Sequence, residues 1–548
     1  MRSLLTALLY LSVCCSCLAE TAKTANIAPV SYNGEALIVE QWDTSFHYNA
    51  DGTGEEQQHL RLKLQNEAGA RQFSVISINY ASATQAAQFE SVSVIHSDGK
   101  KTETPASDAI DMPAPVTQQA PLYSDLKTLQ LPVRGLRPGD TLDYRIHIQF
   151  KSAEAPSQFW GEFNFDKSQV VLSQTLTLDL PAEKYVQVWS PKDKPTITSA
   201  SGRRVYHWSG KQLKPTSPDK SKDKDNPTAP PEDNKPSVAW TTFHSWQEVG
   251  DWYRGLAAPR AVPTDALRAQ ADAITHDAKT PEEQIAAIYT FVSTRIRYIG
   301  IDFGIGRFEP HAAAEVLANQ YGDCKDKDTL LEALLHAKGF TTAPALVGVN
   351  IDSIPDLPSP GQFNHVITTA TLPSGEVWMD STPEVAPFRM LTSPVRGKQA
   401  LVIPATGAAR LEHTPAQPPF PFVDRFEAKA TLKSDGELDG HIDINDRSDM
   451  EILLRAVARN LAPAQWDNGT QYLARLLGFG GTTSDSAFAP AGDFSNPMHV
   501  SYDYTRKPYG DWITSGLFLF FPPSCCRKLP TSSPPIRSTS VRSAWKSQ

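Results

Sequence analysis

The chain has 548 residues, of which 40% are hydrophobic and 21% charged, with a formal net charge of −9 and a pI near 5.8. At roughly 100–200 residues per domain this length predicts about three domains with ample core, and the composition is that of a globular chain. The acidic balance leaves no basic excess to neutralise phosphates, which argues against a nucleic-acid partner.

The chain begins MRSLLTALLYLSVCCSCLAE. A basic Arg2, an apolar run over 4–13 and small residues ending in Cys17-Leu18-Ala19 have the layout of a secretory signal, residues 1–19, cleaved after Ala19. The run is too short to span a bilayer, so no transmembrane segment beyond the signal is expected. Lipid on Cys14 or Cys17 fits poorly with the residues before them. The mature chain is read as exported, to the periplasm, the cell surface or the medium. Of the six cysteines, Cys14, Cys15 and Cys17 leave with the signal, and Cys525 and Cys526 lie in the tail. An exported protein that relied on disulfides would carry paired cysteines in its domains. Cys324 is therefore either buried and inert or functional.

From 27 to 210 the chain is a series of short alternating segments broken by turns, such as His59-Leu-Arg-Leu-Lys-Leu64, and Leu142, Tyr144, Ile146, Ile148 and Phe150 after Arg137-Pro-Gly-Asp140. Period-2 alternation at this spacing predicts an all-β sandwich. Residues 211–239, with the run KPTSPDKSKDKDNPTAPPEDNKP, are proline-rich and lack the apolar surface to order themselves, which predicts a disordered linker or loop. A helical region opens at Ser245-Trp-Gln-Glu248. The clearest helix begins at Thr280-Pro-Glu-Glu283, a cap, a first-turn proline and a capping-box glutamate, and its stripe is Ile285, Ile288, Tyr289, Val292 and Ile296. A second helix is predicted over 324–338, with Leu330, Leu331, Leu334 and Leu335 inward and Gly339 as its stop. Strands follow at 343–349, 363–371 and 376–380. Helices followed by strands predict a central α+β domain over 240–400. Strand-like 426–432 and 438–444 flank the turn Ser434-Asp-Gly436, and one helical piece covers 447–477, predicting an incomplete β-rich third domain over 422–521. From Pro522 to Gln548 there is no acidic residue, while serine, proline, arginine and lysine dominate. This atypical tail, 522–548, reads as the product of a frame shift near 520, the competing expectation being a genuine disordered tail.

Cys324 sits at the predicted start of a helix after Tyr321-Gly322-Asp323, where unpaired N–H groups and the helix dipole favour an anion. Thiolate is the nucleophilic form. A nucleophile needs a base. His336 lies on the same helix about 18 Å away and cannot reach. His365 lies on a strand followed by a two-residue turn, Pro373-Ser374, which pairs Leu372 with Gly375 and carries the register back to put His365 opposite Thr382. Asp380 then shares a face with Thr382, diagonal to His365 at roughly 7–8 Å between Cα atoms. Cysteine at a helix start, histidine on a strand and aspartate on the next supply a nucleophile, a general base and an orienting group.

The segments Tyr321-Gly-Asp-Cys-Lys-Asp326, Asn364-His-Val366 and Trp378-Met-Asp-Ser-Thr-Pro383 resemble the core of the transglutaminase-like superfamily, over about 240–400. Tyr298-Ile-Gly-Ile-Asp-Phe-Gly-Ile-Gly306 and Pro310-His-Ala-Ala-Ala-Glu-Val-Leu317 add to the likeness, which is closest to a bacterial group with an N-terminal β-rich domain of unknown function. The resemblance implies a papain-like fold with Cys324 as nucleophile, His365 as base and Asp380 as orienter. It also implies an enzyme of the transglutaminase-like acyltransferase or cysteine peptidase and amidase type, with a protein or peptide substrate. The superfamily includes members that have lost catalysis, so the competing expectation is a cell-surface binding protein that uses this core as a scaffold. Tyr298 is a candidate for lining the cleft. Lys325-Asp-Lys-Asp328 enters a helix without the glycine turn of a calcium loop and reads as a solvated charged face. No histidine pair has zinc spacing and no glycine-rich loop carries the phosphate signature, so no metal or other cofactor is expected.

Overall fold

The structure, a computed structural model, describes residues 32, 34–115, 125–214, 235–300 and 308–507. The expected signal, most of the linker, residues 301–307 and residues 508–548, which include the atypical tail, lie outside the described residues.

The N-terminal region is built on an eight-stranded sheet. Its order is Thr196–Ala200, Arg203–Gln212, Val170–Pro181, Leu37–Tyr48, Gly54–Leu64, Thr141–Phe150, Gln85–Ile95 and Lys101–Glu103. Leu37–Tyr48 and Val170–Pro181 run parallel and the other neighbours antiparallel. Alternation decides the faces. Leu60, Leu62 and Leu64 are buried, while Arg61 between them turns outward to Glu40 (2.9 Å) and Asp143 (3.0 Å). A bulge between Val39 and Gln41 shifts the parity of its strand, so that Val39 before it and Phe46 and Tyr48 after it point the same way. Two three-stranded sheets cover this apolar face. One, Val75–Ala81, Leu126–Pro132 and Ile110–Pro113, adds Ile76, Ile78, Leu129 and Leu131 to the core. The other, Gln187–Trp189, Val238–Thr241 and Trp160–Phe163, adds Val238 and the fully buried Trp240. Its middle strand, Val238–Thr241, lies beyond the proline-rich run, so the boundary expected at 240 falls inside an element of the N-terminal sheets. Composition gave no sign of this pairing, because the partners of Val238–Thr241 lie far away in sequence.

The central region packs helices Asp265–Ile274, Pro281–Arg295, Ala313–Asn319 and Cys324–Ala337 on a five-stranded antiparallel sheet. The sheet order is Gly375–Met379, His365–Leu372, Thr342–Val347, Gln399–Val402 and Arg410–His413. The capping box at Thr280 and Glu283 is present, and Ile285, Ile288, Tyr289, Val292 and Ile296 are all at most 1% exposed. Each side chain buried in this way contributes roughly 1.5–3 kcal/mol. Gly339, at φ +81°, lets the Cys324 helix end in a Schellman turn: the Gly339 N–H donates to the His336 carbonyl and the Phe340 N–H to that of Leu335.

The C-terminal region has a four-stranded sheet, ordered Val423–Leu432, Leu438–Arg447, Met498–Arg506 and Thr482–Phe488, with helices Asp449–Asn460 and Trp466–Leu476 packed on it. The single helical piece predicted over 447–477 is therefore two helices. Pro463 has no N–H to donate and forces Ala462 into extended backbone (ψ 150°), which ends the first. Among the described residues no helix is long and apolar enough to cross a membrane.

Candidate active site around Cys324

Three elements meet at the mouth of the central region. Cys324 is the first residue of its helix, with Asp323 as N-cap. The Asp326 N–H donates to Asp323 Oδ1 at 3.1 Å and the Asp323 N–H to Asp326 Oδ2 at 3.2 Å, a reciprocal capping box. The short parallel pairing of Arg297–Tyr298 with Tyr321–Gly322 anchors the chain immediately before this cap. Asp326 packs so close to Gly322 that a Cβ there would approach its own Cβ to 2.6 Å, which explains the glycine.

His365 opens the next strand but one and pairs with Val347 on one side. On the other, the ladder runs from Leu372 opposite Gly375 to Thr368 opposite Met379, the register that a two-residue loop predicts. Strand pairing stops at Met379, and Asp380 turns under the histidine. His365 Nε2 lies 3.0 Å from Asp380 Oδ2. Cys324 lines the same small cavity as His365, and its sulfur is close enough to raise the imidazole pKa. With Nε2 engaged by the aspartate, Nδ1 is the nitrogen left for sulfur. Sequence reasoning placed these three residues at compatible positions, and the fold brings them together. It leaves His336 apart, with its Nε2 2.7 Å from Thr342 Oγ1.

Asp380 is itself held. Its Oδ1 accepts the Thr382 N–H (3.0 Å) and hydroxyl (2.7 Å), and its backbone carbonyl accepts the Tyr289 hydroxyl (3.0 Å). Burial alone would raise its pKa. The adjoining His365 charge and the hydrogen bonds from His365 and Thr382 outweigh this and hold the carboxyl below its usual range. For His365 burial works toward the neutral form, but Asp380, through charge and hydrogen bond, and the Cys324 sulfur together hold the imidazole well above its ordinary pKa. The geometry therefore favours a charged imidazolium between a carboxylate and the sulfur.

The charged run after Cys324 is not a solvated face. Lys325, Asp326, Lys327 and Asp328 are at most 5% exposed. Each has a partner supplied by a distant segment or by the cap: Lys325 pairs with Asp323; Asp326 Oδ1 accepts the His311 N–H (2.8 Å) and faces its Nδ1 (3.0 Å); Lys327 donates to the carbonyls of Ser293 (3.2 Å) and Ile296 (2.6 Å); Asp328 Oδ1 accepts the Thr368 hydroxyl (2.5 Å). The alternation of charge misled because none of these partners lies in the run. Among the described residues no group of histidine, cysteine and acidic side chains is arranged to hold a metal.

The space beside the sulfur is a small cavity of about 40 Å³ lined by Cys324, His365, Tyr298, Tyr253, Phe308 and Phe363, among others. Tyr298 was expected here. Tyr253 and Phe308 were not, since an aromatic on a helix and one in a loop read as ordinary core. The Tyr253 hydroxyl is buried without a hydrogen-bond partner among the described residues, and burial together with nearby Asp328 and Cys324 raises its pKa well above normal.

Residues 50–217 match the family described as a domain of unknown function with a solved structure, DUF3857. No curated protein matches the chain. A crystal structure of a candidate protease from Parabacteroides distasonis aligns with 86% of this chain and 94% of its own, at a TM-score of 0.59 and 13% identity. That likeness shows a shared fold. A candidate cysteine protease from Cytophaga hutchinsonii (12% identity, 47% of this chain and 80% of its own, TM-score 0.21) and an M1 zinc metallopeptidase from Deinococcus radiodurans (10%, 32% and 39%, TM-score 0.21) are too distant to carry an argument.

Proposed function

We propose that the chain is an exported, transglutaminase-like thiol enzyme that acts on amide bonds of proteins or peptides. The observation that carries this reading is one buried imidazole with Asp380 Oδ2 at 3.0 Å from its Nε2 and with Cys324 beside it in the wall of the same small cavity. A histidine placed only for packing has no need of both.

In the proposed reaction the Cys324 thiolate attacks the amide carbonyl carbon, forming a C–S bond and moving the carbonyl electron pair onto oxygen. The oxyanion forms near the start of the Cys324 helix, where the helix dipole favours negative charge. Collapse breaks the C–N bond, and the His365 imidazolium gives its proton to the departing amine. The product is a thioester on Cys324. His365, now neutral, accepts a proton from water or from a second amine as that nucleophile attacks, the C–S bond breaks and the thiolate and imidazolium are restored. Water yields hydrolysis and an amine yields transfer. Asp380 keeps the ring oriented with Nε2–H toward itself and stabilises the charge that develops on it.

The fold shared with the Parabacteroides protein and the buried Asp380–Thr382 support are consistent with this reading. Its test is iodoacetamide alkylation of Cys324 at about pH 6, below the range where an ordinary thiol reacts. Rapid labelling in the wild-type chain, slowed at least about tenfold in His365→Ala, is expected. A protected thiol, or equal rates in both, would favour the binding scaffold instead. The exported location is tested by sequencing the N-terminus of the mature chain, expected to begin at Glu20.

A further inference from the structure

The cavity beside Cys324 shares a wall with a larger one. Phe308 lines both. The larger cavity, about 360 Å³, lies between the N-terminal sheets and the helix Trp246–Ala257, so neither region forms it alone. That volume is at the lower end of the roughly 300–1,000 Å³ typical of ligand sites.

Two chemistries line it. One is aromatic: the Phe308 and Trp252 rings meet edge-on with centroids 5.0 Å apart, and Trp160, from the N-terminal sheets, backs both at 5.9 and 5.6 Å. The other is acidic. Asp125 Oδ2 accepts the Ala83 N–H at 2.6 Å, while its Oδ1 is buried and has no hydrogen-bond partner among the described residues. Glu56 is held by the Gln58 amide at 2.5 Å, and burial raises its pKa. Glu309 is neutralised by Arg260. No described lysine, arginine or histidine lines the cavity to neutralise Asp125 and Glu56. A buried carboxylate oxygen left unpaired is costly, and a cation reaching it would recover that cost.

We infer that this cavity is a specificity pocket for a cationic side chain, arginine or lysine, of the peptide whose amide is attacked at Cys324. The inference rests on the function proposed above and adds the substrate's charge to it. The side chain is bound and not chemically altered. Its stem passes Phe308, and its charged end lies over Trp252 and toward Asp125 and Glu56. Arginine is preferred to lysine, because a planar guanidinium stacks on an aromatic face and pairs with a carboxylate by two N–H groups at once.

The test uses the full chain carrying Cys324→Ala and short fluorescein-labelled peptides that differ at one position, Arg, Lys, Gln or Glu, with binding read by fluorescence anisotropy. The Arg peptide is expected to bind at least about tenfold more tightly than the Glu peptide, with Lys between. Adding Glu56→Gln and Asp125→Asn should reduce that preference to within about threefold and leave the Gln peptide unchanged. Asn retains the acceptor for the Ala83 N–H. If the double variant melts early, Glu56→Gln alone gives a partial loss of the same preference. Equal binding of Arg and Glu peptides, no binding of any peptide, or a preference that these variants leave intact overturns the inference. Turnover of the same peptides by the wild-type chain separates the two readings. Charge-selective binding without turnover sinks the proposed reaction and keeps the pocket, whereas turnover indifferent to charge does the reverse.

Discussion

The helix Cys324–Ala337 carries five charged residues, Lys325, Asp326, Lys327, Asp328 and Glu332, and buries them all, whereas the strand Val423–Leu432, with Val423 and Phe426, leaves nine of its ten residues exposed. Both are regular elements. They differ in what the rest of the chain brings to them. The helix is surrounded, and each buried charge finds a cap, a carbonyl or a hydroxyl from another segment. Among the described residues the strand pairs along one edge with Leu438–Arg447, and its faces stay exposed apart from the stacking of Phe426 on Phe479 (centroids 5.8 Å). Burial follows from available partners more than from the polarity of the residue buried.

On the helix side of this comparison the largest effect is expected at the His365–Asp380 pair, which stands beside the helix's first residue, Cys324. If the proposed chemistry holds, Asp380→Asn leaves the fold intact and lowers turnover by on the order of 10³-fold or more, because the ring loses the partner that fixes its tautomer. Unchanged turnover with the same melting temperature would remove Asp380 from the reaction. Next is Lys327→Met, which keeps the apolar stem but strips the donor from the Ser293 and Ile296 carbonyls, orphaned at a helix end. A loss of about 1–3 kcal/mol in denaturant unfolding is expected.

Two titrations on this helix sharpen the comparison because they act in opposite directions. Burial pushes the Glu332 carboxyl up to about 7, above its usual 4.5. A folded-state pKa above the unfolded one gives a contribution that is full below about 4.5 and is lost as pH rises toward 7. Glu332→Gln should flatten the fall in stability across that window. Burial pushes Lys327 down to about 8 from 10.5. The folded protein then releases a proton that the unfolded chain keeps, so stability gains up to about 1 kcal/mol per unit as pH rises from 8 toward 10.5. Lys327→Met should abolish that gain; parallel curves for wild type and variant would show that Lys327 is not desolvated as its packing implies. The smallest effect is expected on the strand, where Val423→Thr should change stability by no more than about 0.5 kcal/mol. A cost near that of a core valine would reveal a cover over this face.

Much of the local structure was legible because it is written in neighbouring residues. The cap at Thr280, the stripe that follows it and the stop at Gly339 are short-range signals, and the hairpin register follows from the length of one loop. The same loop length puts His365 and Asp380 on one side of the hairpin. The break at Pro463 was equally local and was overlooked within a periodic apolar pattern. The burial of Lys325 to Asp328 could not be read in this way. Its partners, His311, Ser293, Ile296 and Thr368, are separated from it in sequence and meet it only when helices pack on the sheet.

By itself, the sequence determined the helices, the alternation of the strands and the order in which a cysteine, a histidine and an aspartate occur, since propensity, capping and loop length act over a few residues. Only the tertiary structure decided that Val238–Thr241 joins the N-terminal sheets, that Phe308 stands between two cavities, and that the walls of the larger one come from both regions. Cavities and ion pairs are properties of surfaces that face each other across the fold, and no local rule fixes which surfaces those are.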